Sequence, residues 1–512
     1  MYPGHWARVK PDHPAVIMAA SGEVVTYREL DERSCKLAGY FRSRGIQRGD
    51  HVAILLDNDS RYFEMLWAAL RSGLYATPVN WHLKPDEIAY IVDDCDAKLV
   101  VTSATHRELV EAIDWSAIPA VTTRLMADGT CDGFESYEHA VDFVGEPIEE
   151  SSGAAMLYTS GTTGRPKGVL RPLPNTAPGD LDLASFGLAA LFGIDEDARY
   201  LSPAPQYHAA PLNFTTAAHR AGATVVLMER FDPREAISAI ETHQVTHSQW
   251  VPTMFVRMLG LPHDVRSAAN LSSHRTALHA GAPCPPEIKR QMIDWWGEIL
   301  VEYYGGTDAG GFTMIDSAQW LAHPGSVGTS LTGPIHIIDE ESDSAVGPGE
   351  IGTVYFSGDP GFEYKGDPDK TKRSRRGNDM STMGDIGYVD EEGFLYLTDS
   401  KEFTIISGGV NVYPREAEDV LILHPAVLDV AVFGVPHPEF GEEVKAAVQL
   451  VEGASPTSEL AEELIAFSRD KLAKFKCPRS VDFLVALPRT PAGKLRKSEL
   501  RAQYRPNAGT TA

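Results

Sequence analysis

The chain has 512 residues, more than one hydrophobic core usually serves, so two or more domains are expected. Its 46 Lys and Arg against 71 Asp and Glu leave a net charge of −25, a surface that repels nucleic acid and anionic lipid. No apolar run is long enough to span a membrane, the N-terminus lacks a signal-peptide core, and Cys35, Cys95, Cys131, Cys284 and Cys477 form no C-x-x-C pair; a reduced, cytoplasmic chain without disulfides or a zinc site is expected.

In chain order, Val52 to Leu56 reads as a buried strand, and Tyr62, Met65, Leu66 and Leu70 give an amphipathic helix stopped by Gly73. Leu99 to Thr102, Thr224 to Met228 and Ile299 to Tyr304 read as further strands with helical segments between them. That alternation predicts an α/β fold in which mixed or parallel sheets are covered by helices. Tyr388 and Phe394 to Leu397 flank the turn Asp390 to Gly393, a hairpin signal. Beyond Asp399 the pattern becomes a compact α+β stretch. A helix starts near Pro414, strands cover Val430 to Val435 and Ala446 to Val451, a helix carries Leu460, Leu464, Phe467 and Leu472, and a strand runs from Val481 to Val485. The expected division is a large N-terminal domain, 1–398, and a small C-terminal domain, 399–512, ending in a polar tail from Pro506.

The most informative stretch is Tyr158-Thr-Ser-Gly-Thr-Thr-Gly-Arg-Pro-Lys-Gly168, which follows the short apolar run Ala154 to Leu157. Glycines let backbone N–H groups converge, and with hydroxyls and one ammonium they make a cradle for phosphate. It is not the Walker pattern, since Gly168 follows Lys167. Taken alone, its lesser alternative is a Gly/Ser-rich surface loop or linker.

Four further segments change that balance. Leu278-His-Ala-Gly-Ala-Pro283 is a small-residue turn able to admit a flat ring. Glu302-Tyr-Tyr-Gly-Gly-Thr-Asp308 ends a strand with an aromatic, two glycines, a hydroxyl and a carboxylate. Ser381-Thr-Met-Gly-Asp385 sets a carboxylate before the hairpin, and Pro488-Arg-Thr-Pro-Ala-Gly-Lys494 carries a lysine on a Pro/Gly-bounded loop. In this order and spacing they resemble the adenylate-forming superfamily of acyl- and aryl-CoA synthetases, luciferases and peptide-synthetase adenylation domains. The resemblance runs from Val25-Thr-Tyr-Arg-Glu-Leu30 to Lys494, and is greatest toward bacterial fatty-acyl-CoA synthetases.

The resemblance implies ATP, Mg²⁺ and coenzyme A, and a C-terminal domain that is mobile. The triphosphate would lie on Thr159, Ser160, Gly161, Thr162, Thr163 and Gly164 with Lys167 as counter-charge. Adenine would sit between Gly281, Ala282 and Pro283 and the ring of Tyr304, with the ribose on Asp385. Thr307 would bond the α-phosphate, Asp308 would help hold Mg²⁺, and Lys494 would bridge carboxylate and phosphate. Ser407, Gly408 and Gly409 would line the thiol arm of CoA, the hinge would fall at Ser400 to Glu402, and His208, Gly305 and Gly306 would border the acyl group.

Two positions depart from the family pattern: Asp308 stands where Glu is usual, and Ser400 where Arg follows the hinge aspartate. The implied reaction is ATP-dependent acyl-CoA synthesis from a fatty or other hydrophobic acid. An aryl acid, a carrier-protein acceptor and a catalytically impaired nucleotide-binding homologue stay open, and a homodimer is compatible with all of them. Two features stand outside this scheme. Lys370, Lys372, Arg373, Arg375 and Arg376 form a basic stretch, read as a solvated loop or a contact to a phosphorylated ligand. His243 and His247, four apart, could share a helix face as zinc ligands do, but Gln244 rather than Glu follows His243 and no third ligand follows at a fitting spacing, so a metal site is not expected.

Overall fold

The structure is a computed structural model and describes residues 1–145, 148–159, 166–180, 183–306, 310–358, 361–377, 379–400, 403–407, 410–438, 440–489 and 495–504. The chain divides into two compact units: Met1–Trp250 with Leu261–Leu278 and Gly361–Lys372, and Val251–Gly260 with His279–Pro360 and Arg373–Ala512.

The first unit holds a six-stranded parallel sheet in the order Glu135–Ser136, Thr123–Ala127, Ala97–Ser103, His51–Ile54, Tyr75–Pro78, Ala154–Ala155. The four residues of the His51–Ile54 strand are all buried, as expected for a parallel strand covered on both faces. A second run of strands, His247–Trp250, Arg199–Ser202, Thr224–Leu227 and Pro14–Met18, ends in an antiparallel partner, Val24–Thr26. Helix Tyr27–Ser43 starts on a capping box of Thr26 and Glu29, and helix Ser60–Arg71 on Asp59, which accepts from the Arg61 amide. These helices are tied by Arg71, buried and paired at 2.7 Å with both Asp31 and Glu150. A small antiparallel sheet of Leu157–Thr159, Lys167–Leu170 and Glu363–Tyr364 completes the unit.

In the second unit, strands Leu300–Gly305, Phe312–Asp316 and Thr329–Ser330 pair antiparallel. Asp385–Val389 and Leu395–Ser400 form the hairpin read from the Asp390 to Gly393 turn. Farther on, Val427–His437 and Gly441–Leu450 pair antiparallel, Ser480–Leu484 joins in parallel, and helices Pro414–Leu421 and Ser458–Arg469 accompany them. Ile405, Val412, Leu421, Val430, Val432, Val444, Ala446 and Leu464 form its core. The fold is therefore mixed α/β with a large N-terminal part and a smaller α+β C-terminal part. The polar tail, 506–512, lies outside the described residues.

His243 and His247 do not share a helix face. Helix Pro233–Thr242 ends at His243, Gln244 takes φ +49°, and His247 opens a strand. In the basic stretch, Lys370 sits 4.0 Å over the Tyr364 ring and Arg376 pairs with Asp343 at 2.6 Å. Among the described residues no group of three or more His, Cys, Asp or Glu is gathered for a metal ion, and no helix is long and apolar enough to cross a membrane.

Buried histidines give the first unit a pH dependence. His219 is fully enclosed, its Nδ1 accepting from Trp67 Nε1 (3.1 Å) and its Nε2 lying 3.2 Å from the Ala15 carbonyl, so protonation of Nδ1 would break the Trp67 bond. Burial pushes His51, His208 and His219 down to about 4 and His274 down to about 3. Between the ordinary value near 6.5 and these depressed values, the unfolded chain takes up protons that the native chain refuses. Stability is therefore complete above pH ~6.5 and falls as pH drops toward 4. Urea midpoints measured from pH 7 to 4.5 should decline, with an uptake of about three to four protons on unfolding near pH 5 from these groups; a flat profile would contradict the assignment.

Candidate active site

The register of the small sheet sets Thr159 directly opposite Lys167 at the mouth of the Gly/Thr-rich turn, whose residues 160–165 lie outside the described residues. The Thr159 hydroxyl is buried and has no hydrogen-bond partner among the described residues, the kind of atom an incoming oxygen ligand would satisfy. Lys167 Nζ stands 3.9 Å from Asp367 Oδ2, a loose pair, because Asp367 Oδ1 already accepts from the Lys370 amide (2.9 Å).

The base of this hairpin is held from outside. Tyr158 donates to Asp94 Oδ2 (2.6 Å), and the Tyr90 hydroxyl lies 3.1 Å from the Pro166 carbonyl and 3.3 Å from Asp94 Oδ1. Burial, reinforced by nearby Cys95 and Asp94, raises the Tyr158 phenol well above its usual range and keeps it a donor. The Lys365 amide closes the other side on the Gly168 carbonyl (2.8 Å).

In the second unit, Gly281 opens the Gly-Ala-Pro turn at φ +86°, a conformation L side chains rarely adopt. Tyr304, half-buried near the end of its strand, donates to Asp385 Oδ2 at 2.6 Å, joining two residues 81 apart in sequence. Asp385 in turn faces Ser400 across the hairpin. Gly305 and Gly306 are exposed, whereas Gly311 leaves no room for a ligand: a Cβ there would stand 1.9 Å from the Phe356 ring. That glycine serves packing, not a pocket. Thr307 and Asp308 lie outside the described residues.

His208 occupies the N-cap position of helix Ala209–Ala221, and its Nε2 is buried without a hydrogen-bond partner among the described residues. Burial, with His82 nearby, holds it at about 4, so it is neutral at pH 7. Asn58 fixes the preceding segment by accepting from the Gln206 amide (2.9 Å) and donating to the carbonyls of Ala204 and Met228 (3.1 and 2.8 Å). Sequence reasoning missed the stack next to it: Trp81 lies on His82 and His106 at 3.5 and 4.9 Å, and Tyr207 Oη is 3.2 Å from His82 Nδ1. The signal was the tetrapeptide Asn80-Trp-His-Leu83.

Ser407 pairs with Val410; Gly408, Gly409, Glu402 and Lys494 lie outside the described residues. The described residues on either side of that lysine are held in place. Arg489 bridges to Leu495, and its guanidinium meets both Asp429 oxygens at 2.5 and 2.6 Å.

The sequence model for AMP-binding enzymes matches residues 4–363, and that for the AMP-binding enzyme C-terminal domain matches 416–494. A feruloyl-CoA synthase of Amycolatopsis sp is 33% identical, with 98% of each chain covered. The long-chain-fatty-acid–CoA ligase FadD13 of Mycobacterium tuberculosis is 31% identical, with 97% of each covered. Among solved structures, ATP-bound MatB from Rhodopseudomonas palustris superposes with a TM-score of 0.82 at 28% identity, over 98% of this chain and 99% of that one.

The Gly281 turn yields a direct test. A Cβ at Gly281 would meet only Val251 Cγ1 at 3.6 Å, ordinary contact, so conformation rather than space decides the outcome. Gly281→Ala should lower unfolding stability by roughly 1 kcal/mol, and Gly281→Asn by less, because Asn tolerates the left-handed region. Denaturant titration of the three proteins checks the order.

Proposed function

The chain belongs to the AMP-binding enzyme family, and from that premise we propose that it is an ATP-dependent acid–CoA ligase. In the first half-reaction a carboxylate oxygen attacks the α-phosphorus of ATP, the bond to the bridging oxygen breaks, and pyrophosphate leaves. In the second, the thiol of coenzyme A attacks the acyl carbon, AMP leaves with the bonding pair, and the thiol proton passes to solvent.

The observation that carries this reading is the Tyr304–Asp385 hydrogen bond, which joins the segments assigned to adenine and ribose. Thr159 and Lys167, opposite each other at the mouth of the turn, suit the β- and γ-phosphates together with 160–164. No acid–base residue is needed in the first step, because a carboxylate is already anionic at pH 7. Positioning and charge neutralisation carry the rate. Lys494 supplies the cation that lets two anions meet, and Thr307 a hydrogen bond to the α-phosphate. Asp308 would help hold Mg²⁺, which would supply charge neutralisation for the departing pyrophosphate.

The domain scheme belongs to the same proposal: 1–398 binds nucleotide and acid, and 399–512 turns about Ser400 to Glu402 between half-reactions, bringing Ser407, Gly408 and Gly409 to the thiol arm. The acid is a fatty or other hydrophobic one, bordered by His208, Gly305 and Gly306; neutral His208 adds no charge to that boundary. The relatives named for ferulate and for long-chain fatty acids bracket this choice. The setting is cytoplasmic.

The reading is tested by acid-dependent release of pyrophosphate from ATP without coenzyme A, across a panel of aliphatic and aryl acids. Release with none of them would favour a nucleotide-binding homologue without ligase activity, the alternative that Asp308 and Ser400 raise. Lys494→Ala should reduce pyrophosphate release by at least about a hundredfold while thioester formation from supplied acyl-adenylate stays within a few-fold. Equal loss of both steps contradicts the assignment. Because residue 400 faces Asp385, Ser400→Arg should tighten ATP binding severalfold in calorimetry, and unchanged affinity would show the position to be misassigned.

A further inference from the structure

One fully buried ion pair lies behind the proposed adenine site. Lys289, on helix Pro286–Trp296, has no exposed surface, and its Nζ donates to Glu302 Oε2 at 2.7 Å. Glu302 is 5% exposed and sits on the Leu300–Gly305 strand, two residues before Tyr304. Strand residues two apart share a face, so the carboxylate and the Tyr304 ring project to the same side. His279 Nε2 lies 3.7 Å from the same Glu302 oxygen, and burial, then Lys289, keeps that ring neutral. Cys284, one residue past the Gly281 to Pro283 turn, is buried in the same surroundings: after burial itself, the Glu302 charge is what raises its thiol. The Trp320 ring covers the ammonium from 4.9 Å.

A buried ion pair is poor evidence of stabilisation, since an apolar pair of similar volume is often as stable or more so. Its best-attested use is to fix the register of one element against another. Here the elements in question are the helix that follows the Gly-Ala-Pro turn and the strand that carries Tyr304. We infer that Lys289 and Glu302 are positioning residues for the nucleotide's adenosine end, locking the Gly281 to Pro283 turn and Tyr304 into one geometry. This inference rests on the ligase reading. Neither side chain touches substrate; each acts through the backbone it anchors.

The test replaces the pair by apolar residues. Lys289→Met/Glu302→Leu should unfold at or above the wild-type midpoint, yet raise the KM for ATP about tenfold while the KM for the acid stays within about twofold. AMP affinity, read by calorimetry, should fall in parallel. An ATP KM and AMP affinity within about twofold of wild type would reduce the pair to a structural role and overturn the inference. Should the double variant not fold, Glu302→Gln, which keeps the shape and accepts the Lys289 hydrogen bond, carries the same comparison with an expected threefold to fivefold rise in ATP KM (about 1 kcal/mol or less). Failure of the wild-type protein to bind ATP or AMP would instead sink the ligase reading, and this inference with it.

Discussion

A loop made of glycines and hydroxyl residues has almost no side-chain surface to bury, so its place must be fixed by something outside it. In this chain that task falls to Asp94, the last residue of helix Pro85–Asp94. Its carboxylate holds Tyr158 just before the turn, while Tyr90 on the same helix reaches Pro166 just after it. Both ends of the turn are thus referred to one rigid element, which takes its own position from the parallel sheet. Preorganisation of this kind is what a site needs when its chemistry is the placing of charge.

Much of the fold was legible because its signals are local. The His51–Ile54 strand and the Ser60–Arg71 helix follow from an unbroken apolar run and a helical period closed by Gly73, which takes φ +70°. The hairpin about Asp390 was read from its turn. Strand Val427–His437 proved longer than the Val430 to Val435 expected: it takes in Pro436, which looks like a breaker, as well as Gly434, which the expected strand already held. Both nevertheless keep their register, opposite Val444 and Glu442, and Gly434 leaves space that the Glu442 carboxylate takes up. The histidine pair shows the converse: Gln244 in the left-handed region ends the helix between the two rings, and nothing in glutamine announces that.

The site was legible as a set of segments and illegible as contacts. Tyr304 and Asp385 meet across 81 positions, and only a resemblance could pair them beforehand. Gly311, a few residues on from Gly305 and Gly306, offers no open space, because the Phe356 ring fills the place of its Cβ. Lys289 had left a trace that went unread: with Met292, Ile293 and Trp296 it completes an i, i+3, i+4, i+7 stripe, and those four residues are buried while Arg290 is exposed. A lysine in an apolar stripe is a buried charge in search of a partner, and the carboxylate stood in the next strand.

The same division of labour recurs around each reactive segment. Tight, directional ionic contacts hold the bases: Tyr158 on Asp94, Arg489 on Asp429, Lys289 on Glu302. The ammonium proposed to meet phosphate is treated differently. Asp367 stands beside Lys167, yet one of its oxygens caps the start of helix Pro368–Arg373 through the Lys370 amide, and the other stays 3.9 Å from the lysine. A short pair there would have to be broken before a triphosphate could bind, at the expense of the affinity gained. By committing the aspartate to the helix, the fold keeps a counter-charge near enough to orient the lysine and too far to hold it.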